Sequence, residues 1–373
     1  MESDYKRILR IPSHRQLKRA DFRGKTVLVR LDLNVPLKAK KILDMKRIDA
    51  SMPTIKKAIE KGASKINIIC HLGRPTEVDD NFSTVILANE IKRRLRGKGK
   101  ARRIQHSYRS PALKYSYEVY RNIQLFENLR FDKGEESNSI QFAKEIAKLG
   151  DVFVLDAFAN IHRQHASMDK LQDQMETFAG LLMEREINGL FRILYAPKRP
   201  FVAVIGGAKY KDKIPVIESL SSKCNAVLVG GMTANEMILE GWERKPNVFV
   251  PSDGINESGS LVGMSKQEIE KGVFDIGPKT IMHFKSILSS AKTVFFNGNL
   301  GMTENKKFVH GTNEILRFIT KMKAEAVASG GNTADIIYDL GLENGFSFIS
   351  TGGSATSDLV AGKKLPVLDK LLK

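Results

Sequence analysis

The length, composition and charge of the chain restrict the class of protein that it represents. Its 373 residues, 42% hydrophobic and 27% charged, have the composition of a globular protein and exceed what one hydrophobic core usually supports, so we expect two domains. The two cysteines, Cys70 and Cys224, lie far apart in sequence, which argues against a disulfide framework and a zinc site. A reducing, cytoplasmic location fits this cysteine content.

No secretion signal or membrane partner is expected. Residues 1–25 carry charges throughout and contain no apolar stretch of signal-peptide length. Elsewhere no segment reaches the roughly 18 apolar residues that a membrane span needs.

The net charge of +18 is distributed unevenly. Residues 1–190 hold 37 Lys+Arg and 24 Asp+Glu, whereas the remainder holds 23 and 18. Such a field attracts phosphorylated metabolites, nucleic acid or an acidic membrane surface, and charge alone does not choose among them.

The densest basic run, Lys92 to Arg103, has eight basic residues in twelve and no interleaved aromatic residue. We therefore expect a solvated helix end and loop there, and no specific nucleic-acid site.

Short β-branched runs alternate with helical patterns along the chain, which predicts parallel α/β sheets. The expected strands are residues 26–29, 65–69, 152–155, 201–205, 226–229, 293–296 and 346–349. Helical patterns include residues 51–62 and 139–150, and a longer one, Phe178 to Tyr195, ends before Pro197 as the hinge between two domains. We place the N-terminal domain at 1–185 and the C-terminal domain at 186–373, whose final residues are free to pack back on the first.

Polar segments follow the predicted strands of the N-terminal half, where ligands of parallel α/β sheets bind. These segments are residues 32–34, 71–75, 127–131 and 156–165, and they bring Arg74, Arg130, Arg163 and several histidines to one rim. Guanidinium groups bind phosphate and carboxylate bidentately, so the rim suits a small acid that carries both. For any one arginine alone, a surface ion pair is the simpler interpretation.

Glycine turns follow the predicted strands of the C-terminal half. Gly206 and Gly207 precede Lys209, and Lys213 lies four residues later, so a helix that begins near Lys209 places both ammonium groups beside its positive end. This pattern predicts a phosphate site, although each element of it is common. The turns at 330–333 and 351–354 also permit close approach of a ligand to the backbone.

Ten motifs occur in the order in which phosphoglycerate kinases carry them, so the chain resembles that family. They lie within residues 21–356 and read VLVRLDLNVPL, KRIDASMPTI, HLGRP, ENLRF, DAFANIHRQHASM, FAGLLMEREI, RPFVAVIGGAKYKDKI, DIGPKTI, the Gly298 to Glu304 turn and FSFISTGGSAT. One such motif is weak evidence, whereas ten in order are specific.

The resemblance implies two doubly wound parallel-sheet α/β domains that face each other across a hinge cleft. It also implies reversible phosphoryl transfer between 1,3-bisphosphoglycerate with ADP and 3-phosphoglycerate with ATP, the reaction of glycolysis and gluconeogenesis. The matching acid-binding positions are Asp32, Asn34, Arg47, His71, Arg74, Arg130 and Arg163. The matching nucleotide positions are Lys209, Lys213, Glu304, Gly330, Gly331, Asn332 and Thr333. Arg47 and Lys209 are the candidate catalytic residues, because in the family they stabilise the transferring phosphoryl group.

The nucleotide side departs from the family pattern. Asn332 replaces the aspartate that would contact the magnesium of the bound ATP or ADP, which leaves a weak metal candidate, and the glycine-rich turns at 229–231 and 350–356 are altered. The stretch between Met232 and Asp275 is a few tens of residues shorter than the family leads us to expect. A monomeric kinase is the leading hypothesis, and a catalytically weakened binding or scaffold protein is the alternative.

Overall fold

The computed structural model describes residues 10–243 and 245–373, which pack as two compact units. One unit comprises residues 10–188 and 365–373, and the other comprises residues 189–364. The boundary lies between Asn188 and Gly189, whereas the boundary expected from the sequence lies between residues 185 and 186.

The first unit is built around a mixed sheet. Its strands are β1 (Thr26–Leu31), β2 (Leu37–Lys38), β3 (Lys41–Ile42), β4 (Lys65–Ile69), β5 (Arg102–Gln105), β6 (Tyr115–Tyr120), β7 (Ile123–Phe126), β8 (Val152–Asp156) and β9 (Thr177–Ala179). Its helices are α1 (Lys46–Glu60), α2 (Val85–Arg94), α3 (Lys133–Glu136), α4 (Ile140–Ala147) and the start of α5 (Leu181–Tyr195). The described residues give the sheet order β5-β6-β7-β4-β1-β8-β9, in which β5, β6 and β7 pair antiparallel and the other pairs are parallel.

The central strand β1 shows how this sheet is positioned. Val27, Val29 and Leu31 alternate along it and pack with α1 and α2 in one hydrophobic core. Because successive strand residues point to opposite faces, Arg30 lies on the other face.

The second unit contains a parallel sheet and a smaller antiparallel one. Its strands are β10 (Phe201–Ile205), β11 (Ala226–Val229), β12 (Val248–Phe249), β13 (Asp253–Asn256), β14 (Leu261–Gly263), β15 (Val273–Ile276), β16 (Thr293–Asn297), β17 (Glu325–Ser329) and β18 (Phe348–Ser350). Its helices are α6 (Tyr210–Ser221), α7 (Gly231–Leu239), α8 (Lys266–Lys271), α9 (Pro278–Leu288), α10 (His310–Thr320), α11 (Gly331–Asp339) and α12 (Ser354–Val360). Among the described residues, the parallel sheet has the order β12-β11-β10-β16-β17-β18, and β14-β13-β15 is antiparallel.

The last helix, α13 (Pro366–Leu372), packs within the first unit. Lys370 Nζ lies 2.6 Å from carboxylate oxygens of both Asp169 and Asp173, and Gln172 donates a hydrogen bond to the Val367 carbonyl.

These sheets confirm the predicted α/β class, but two predicted elements were placed wrongly. Phe178 belongs to strand β9, and the helix begins only at Leu181, where the buried Asp156 carboxylate accepts the Met183 N–H and caps the first turn. The predicted strand 346–349 is observed at 348–350, because the Phe346 N–H closes a turn onto Glu343. Across the described ranges, no helix is long and apolar enough to cross a membrane.

Candidate active site

The residues expected to bind the small acid lie in the first unit, where strands of its sheet end. Parallel strands end at the same edge of a sheet, so the segments that follow β1, β4, β7 and β8 are neighbours. These segments and the first turn of α1 carry Asp32, Asn34, Arg47, His71, Arg74, Arg130 and Arg163.

Asp32 and Asn34 tie the segment after β1 to its neighbours. The buried Asp32 carboxylate forms an ion pair with Arg47, whose side chain is 35% exposed. The second carboxylate oxygen, Asp32 Oδ1, is buried without a hydrogen-bond partner. Asn34 Oδ1 accepts the Gly73 N–H at 2.8 Å, which joins this segment to the one after β4. The segment thus offers an unused acceptor beside a partly exposed guanidinium.

Arg130 lies at the centre of a cluster of positive charges. Its buried guanidinium donates to the Gly73 carbonyl, and its Nε lies 2.9 Å from the Glu136 carboxylate. Burial lowers the pKa of Arg130, the Glu136 charge opposes that shift, and the charges of Arg163 and Arg74 add to it. Since the charges of Arg163, Arg30 and Arg74 all lower the pKa of Arg130, an anionic ligand would relieve the repulsion among these guanidinium groups.

A buried polar network that the sequence analysis missed lies beside this cluster. Arg30 on β1 is fully buried and lies 2.8 Å from His71 Nδ1 and 2.9 Å from Ser167 Oγ. Ser167 donates both its hydroxyl and its N–H to the carboxylate of Glu135, which is also fully buried. The sequence signal for this network was Arg30 itself, which follows three apolar residues of β1. A charged residue in a buried strand indicates polar partners nearby, because a buried charge requires them.

Both histidines next to the network are held neutral. Burial lowers the pKa of His71 well below its ordinary range, and the charges of Arg30 and Arg130 add to this effect. Burial likewise lowers the pKa of His165 to about 4, again with help from the two arginines. His71 and His165 therefore add no positive charge to that of the arginines.

The candidate nucleotide residues lie in the second unit, beginning where β10 meets α6. Lys209 is the exposed N-cap residue of α6. Lys213, in the first turn, donates through Nζ to Asn297 Oδ1, and burial lowers the pKa of Lys213 to about 8. Asn297 ends strand β16, and its role was not predicted from the sequence. One lysine is therefore free to meet solvent or a ligand, and the other is half-buried at a fixed position.

The turn before α11 and the start of that helix bring four further candidate residues together. Gly330 has a φ of +110°, which favours glycine, and is followed by the exposed Asn332, whose Nδ2 lies 3.4 Å from Glu304 Oε1. Thr333 Oγ1 donates to Asn299 Oδ1 at 3.1 Å, so a second asparagine links α11 to the loop after β16.

The loops after β10 and β16 pack backbone against backbone. Gly298 has a φ of +95°, and a Cβ placed on it would overlap the Gly206 carbonyl oxygen. In turn, the Gly207 N–H donates to the Asn299 carbonyl at 2.8 Å. These loops therefore require glycine, whether or not a ligand is bound.

Known proteins resemble this chain along nearly its whole length. The family model "Phosphoglycerate kinase" matches residues 17–243 and 233–363. A phosphoglycerate kinase from Herpetosiphon aurantiacus is 36% identical over 376 residues, covering 92% of this chain and 95% of its own, and one from Fervidobacterium nodosum is 35% identical over 382 residues, covering 93% and 95%. The solved structure of phosphoglycerate kinase from Coxiella burnetii has a TM-score of 0.82 and 30% identity, covering 95% of this chain and 98% of that one.

The chain belongs to the phosphoglycerate kinase family. The two matched segments of the phosphoglycerate kinase model meet at residues 233–243, within the region expected to be shortened. That region contains α7 and, after it, the antiparallel sheet β13–β15, which the sequence analysis did not predict.

The metal position expected in a phosphoglycerate kinase has little acidic character here. Within the described part of the chain, no group of three or more His, Cys, Asp or Glu residues is arranged to hold a metal ion. The Asn332 amide lies beside the Glu304 carboxylate. Such a donor set suits a metal that arrives already bound to nucleotide phosphates.

Proposed function

We propose that the chain is an ATP-dependent phosphoglycerate kinase, which transfers a phosphoryl group reversibly between ATP and the carboxyl group of 3-phosphoglycerate. The observation that carries this proposal is the cluster of buried and partly exposed guanidinium groups around Arg130. The lysines at the start of α6 support it, because a helix N-terminus with two ammonium groups attracts phosphate.

The acid-binding side matches the chemistry of 3-phosphoglycerate, which carries a carboxylate, a hydroxyl and a phosphate. Arg74, Arg130 and Arg163 supply charge-assisted donors for the anionic groups. Asp32 Oδ1, buried without a partner, suits the substrate hydroxyl, because an ionised carboxylate only accepts hydrogen bonds.

Transfer itself requires positioning and charge neutralisation, and no covalent nucleophile. We assign these roles to Arg47 and Lys209, both of which are at least partly exposed. Lys213 holds nucleotide phosphate from its fixed position beside Asn297. Magnesium enters as part of the nucleotide substrate, and Asn332 Oδ1 offers it a neutral oxygen.

The remaining assignments complete the proposal. The protein acts as a cytoplasmic monomer on small phosphorylated metabolites, without a specific nucleic-acid or membrane partner. The hinge-bending implied by the family resemblance is part of the same proposal. The run from Lys92 to Arg103 ends α2 and begins β5, and two of its exposed arginines, Arg93 and Arg102, form ion pairs with Glu90 and Glu118. Sequence-selective binding of nucleic acid at physiological salt would contradict this assignment.

A coupled assay of ATP-dependent phosphorylation of 3-phosphoglycerate tests the function. The expected result is turnover that depends on both substrates and is lost when Lys209 and Arg130 are both replaced by Ala. A scaffold protein would show binding of 3-phosphoglycerate without turnover.

A further inference from the structure

The hydrogen bonds of Arg30 specify the protonation state of a substrate-binding residue. The Arg30 side chain is fully buried, and its nearest carboxylate oxygen, Glu135 Oε1, is 3.9 Å away. Its N–H groups instead reach three neutral acceptors: Ser167 Oγ, the Leu31 carbonyl and His71 Nδ1.

The contact between Arg30 and His71 permits one tautomer of the histidine. Guanidinium is a donor only and stays charged in proteins, so the nitrogen 2.8 Å from Arg30 Nη2 must be the acceptor. A proton on His71 Nδ1 would place two donors against each other. The ring is therefore neutral, with its proton on Nε2.

The other end of the network keeps Arg30 in this orientation. Ser167 accepts from Arg30 Nε and donates its own hydroxyl to Glu135 at 2.6 Å, so every hydrogen bond runs in a consistent direction. Glu135 also accepts the Ser167 N–H, which holds the serine in place. The fully buried carboxylate thus balances the Arg30 charge through a hydroxyl.

This arrangement leaves His71 with one polar group for a ligand. Among the described residues, Arg30 is its sole hydrogen-bond partner. The Nε2–H group can donate to an anionic oxygen, but the ring has no free lone pair with which to act as a base. Since Arg130 and Arg163 already place positive charge here, a neutral donor adds recognition without further repulsion.

We propose that Arg30 is a positioning residue that holds His71 as the neutral Nε2–H tautomer, so that His71 gives 3-phosphoglycerate an uncharged hydrogen-bond donor. The inference rests on the proposed function for the identity of the ligand. The tautomer itself is a property of the free protein.

Nitrogen-15 NMR of the full chain, labelled at its seven histidines, tests the proposal, because imidazole nitrogen shifts and their proton couplings distinguish the two tautomers and the imidazolium. The His71 signals are assigned by their loss in His71→Gln. We expect protonated Nε2 and bare Nδ1 from pH 5 to pH 8, and a shift of the Nε2–H proton when 3-phosphoglycerate is added. A proton on Nδ1, or an imidazolium at pH 7, would overturn the proposal.

Variants separate positioning from general structural support. Arg30→Met removes the donor and should abolish the tautomer preference and weaken 3-phosphoglycerate binding about two- to tenfold, whereas Arg30→Lys should retain the preference. Arg102→Ala, at an exposed arginine outside this network, is the matched control and should keep the Nε2–H signal. If Arg30→Met does not fold, the wild-type spectrum still decides.

Two ligand outcomes are distinguishable. If 3-phosphoglycerate shifts other resonances but leaves Nε2–H unmoved, the donor role of His71 is wrong. If it shifts none, the proposed function fails while the Arg30-specified tautomer stands.

Discussion

The candidate acid-binding residues of the first unit and the candidate nucleotide residues of the second unit are held in the fold in different ways. In the first unit, Arg130 and His71 are buried; the Gly73 carbonyl accepts from Arg130, and Arg30 holds His71. In the second unit, the exposed Asn332 and Lys209 follow glycine turns, and amide groups make the connecting contacts. Under the proposed function, the acid side therefore carries its charges within the fold, whereas the nucleotide side would receive much of its charge from the metal–nucleotide substrate.

This difference predicts that single substitutions act on different quantities in the two halves. Losing a buried arginine should remove ground-state affinity for 3-phosphoglycerate. Losing an exposed lysine should remove stabilisation that develops only during transfer.

The largest expected effect is that of Lys209→Ala on turnover. Removing one group that stabilises developing charge costs about 10²–10³ in kcat, and the Michaelis constant for ATP should rise far less. Lys211→Ala, at an exposed lysine of the same helix, is the control and should retain turnover. Steady-state kinetics would reject the catalytic role if the two variants behaved alike, or if only the Michaelis constant changed.

Arg130→Ala should weaken 3-phosphoglycerate binding most strongly among the acid-side arginines. Losing a charge-assisted hydrogen bond costs about 1.5–3 kcal/mol, or roughly 10- to 150-fold in Kd. Arg102→Ala, at an exposed arginine paired with Glu118, is the control. Titration calorimetry that found unchanged affinity in Arg130→Ala would remove this residue from the substrate site.

The sequence predicted the strands best where buried β-branched runs are continuous. Strands 65–69, 201–205 and 226–229 are observed with the expected bounds. Strand Glu325–Ser329 was missed because its sequence, EAVAS, holds a single β-branched residue and takes its place by pairing with β16 and β18.

The candidate site was predictable where a motif carries charge after a strand. Arg130 and Lys209 could be placed in this way, whereas Asn297 and Asn299 could not, because an amide gives no charge or periodicity signal. Arg30 was missed because the first predicted strand stopped at Val29, and its partners Ser167 and Glu135 come together only through the tertiary fold. The Arg30–Ser167 contact joins residues 137 positions apart, and the Ser167–Glu135 contact joins residues 32 positions apart.

Lys213 should make nucleotide binding depend on pH. Because burial lowers the pKa of Lys213 to about 8, its ammonium is mostly present at pH 7 and is lost as the pH rises to 9. Nucleotide affinity should therefore fall about fivefold between pH 8 and pH 9.

Lys213 should also make folding stability depend on pH. Its pKa in the folded protein lies below its unfolded value, so the charged Lys213 lowers the free energy of unfolding below pH 8. This loss of stability is relieved as the pH rises from 8 towards 10.5.

Titration calorimetry of ADP at several pH values measures the pH dependence of nucleotide affinity. Lys213→Arg is the matched variant, because arginine stays charged throughout this range. A pH dependence that survives in Lys213→Arg would assign it to another group.

The smallest expected effect is that of Asn332→Asp on magnesium-ATP. An aspartate adds a hard anionic oxygen, which magnesium prefers over an amide oxygen. The same substitution places a second carboxylate beside Glu304, where the Asn332 Nδ2 now lies 3.4 Å from Oε1. Because both side chains are exposed, solvent screens each interaction, and we expect a gain of only about two- to fivefold in affinity, with a parallel gain in turnover.

The double variant Asn332→Asp/Glu304→Gln separates metal attraction from carboxylate repulsion. It retains one carboxylate and one amide with their positions exchanged, so it should bind magnesium-ATP at least as tightly as Asn332→Asp if repulsion limits the single variant. A loss of affinity in the double variant would instead show that Glu304 contacts the nucleotide directly. Unchanged magnesium-ATP affinity and turnover in Asn332→Asp would show that the aspartate of the family has no counterpart here. The shortened region after Met232 would then have reorganised the nucleotide side, so that phosphates and solvent hold the metal.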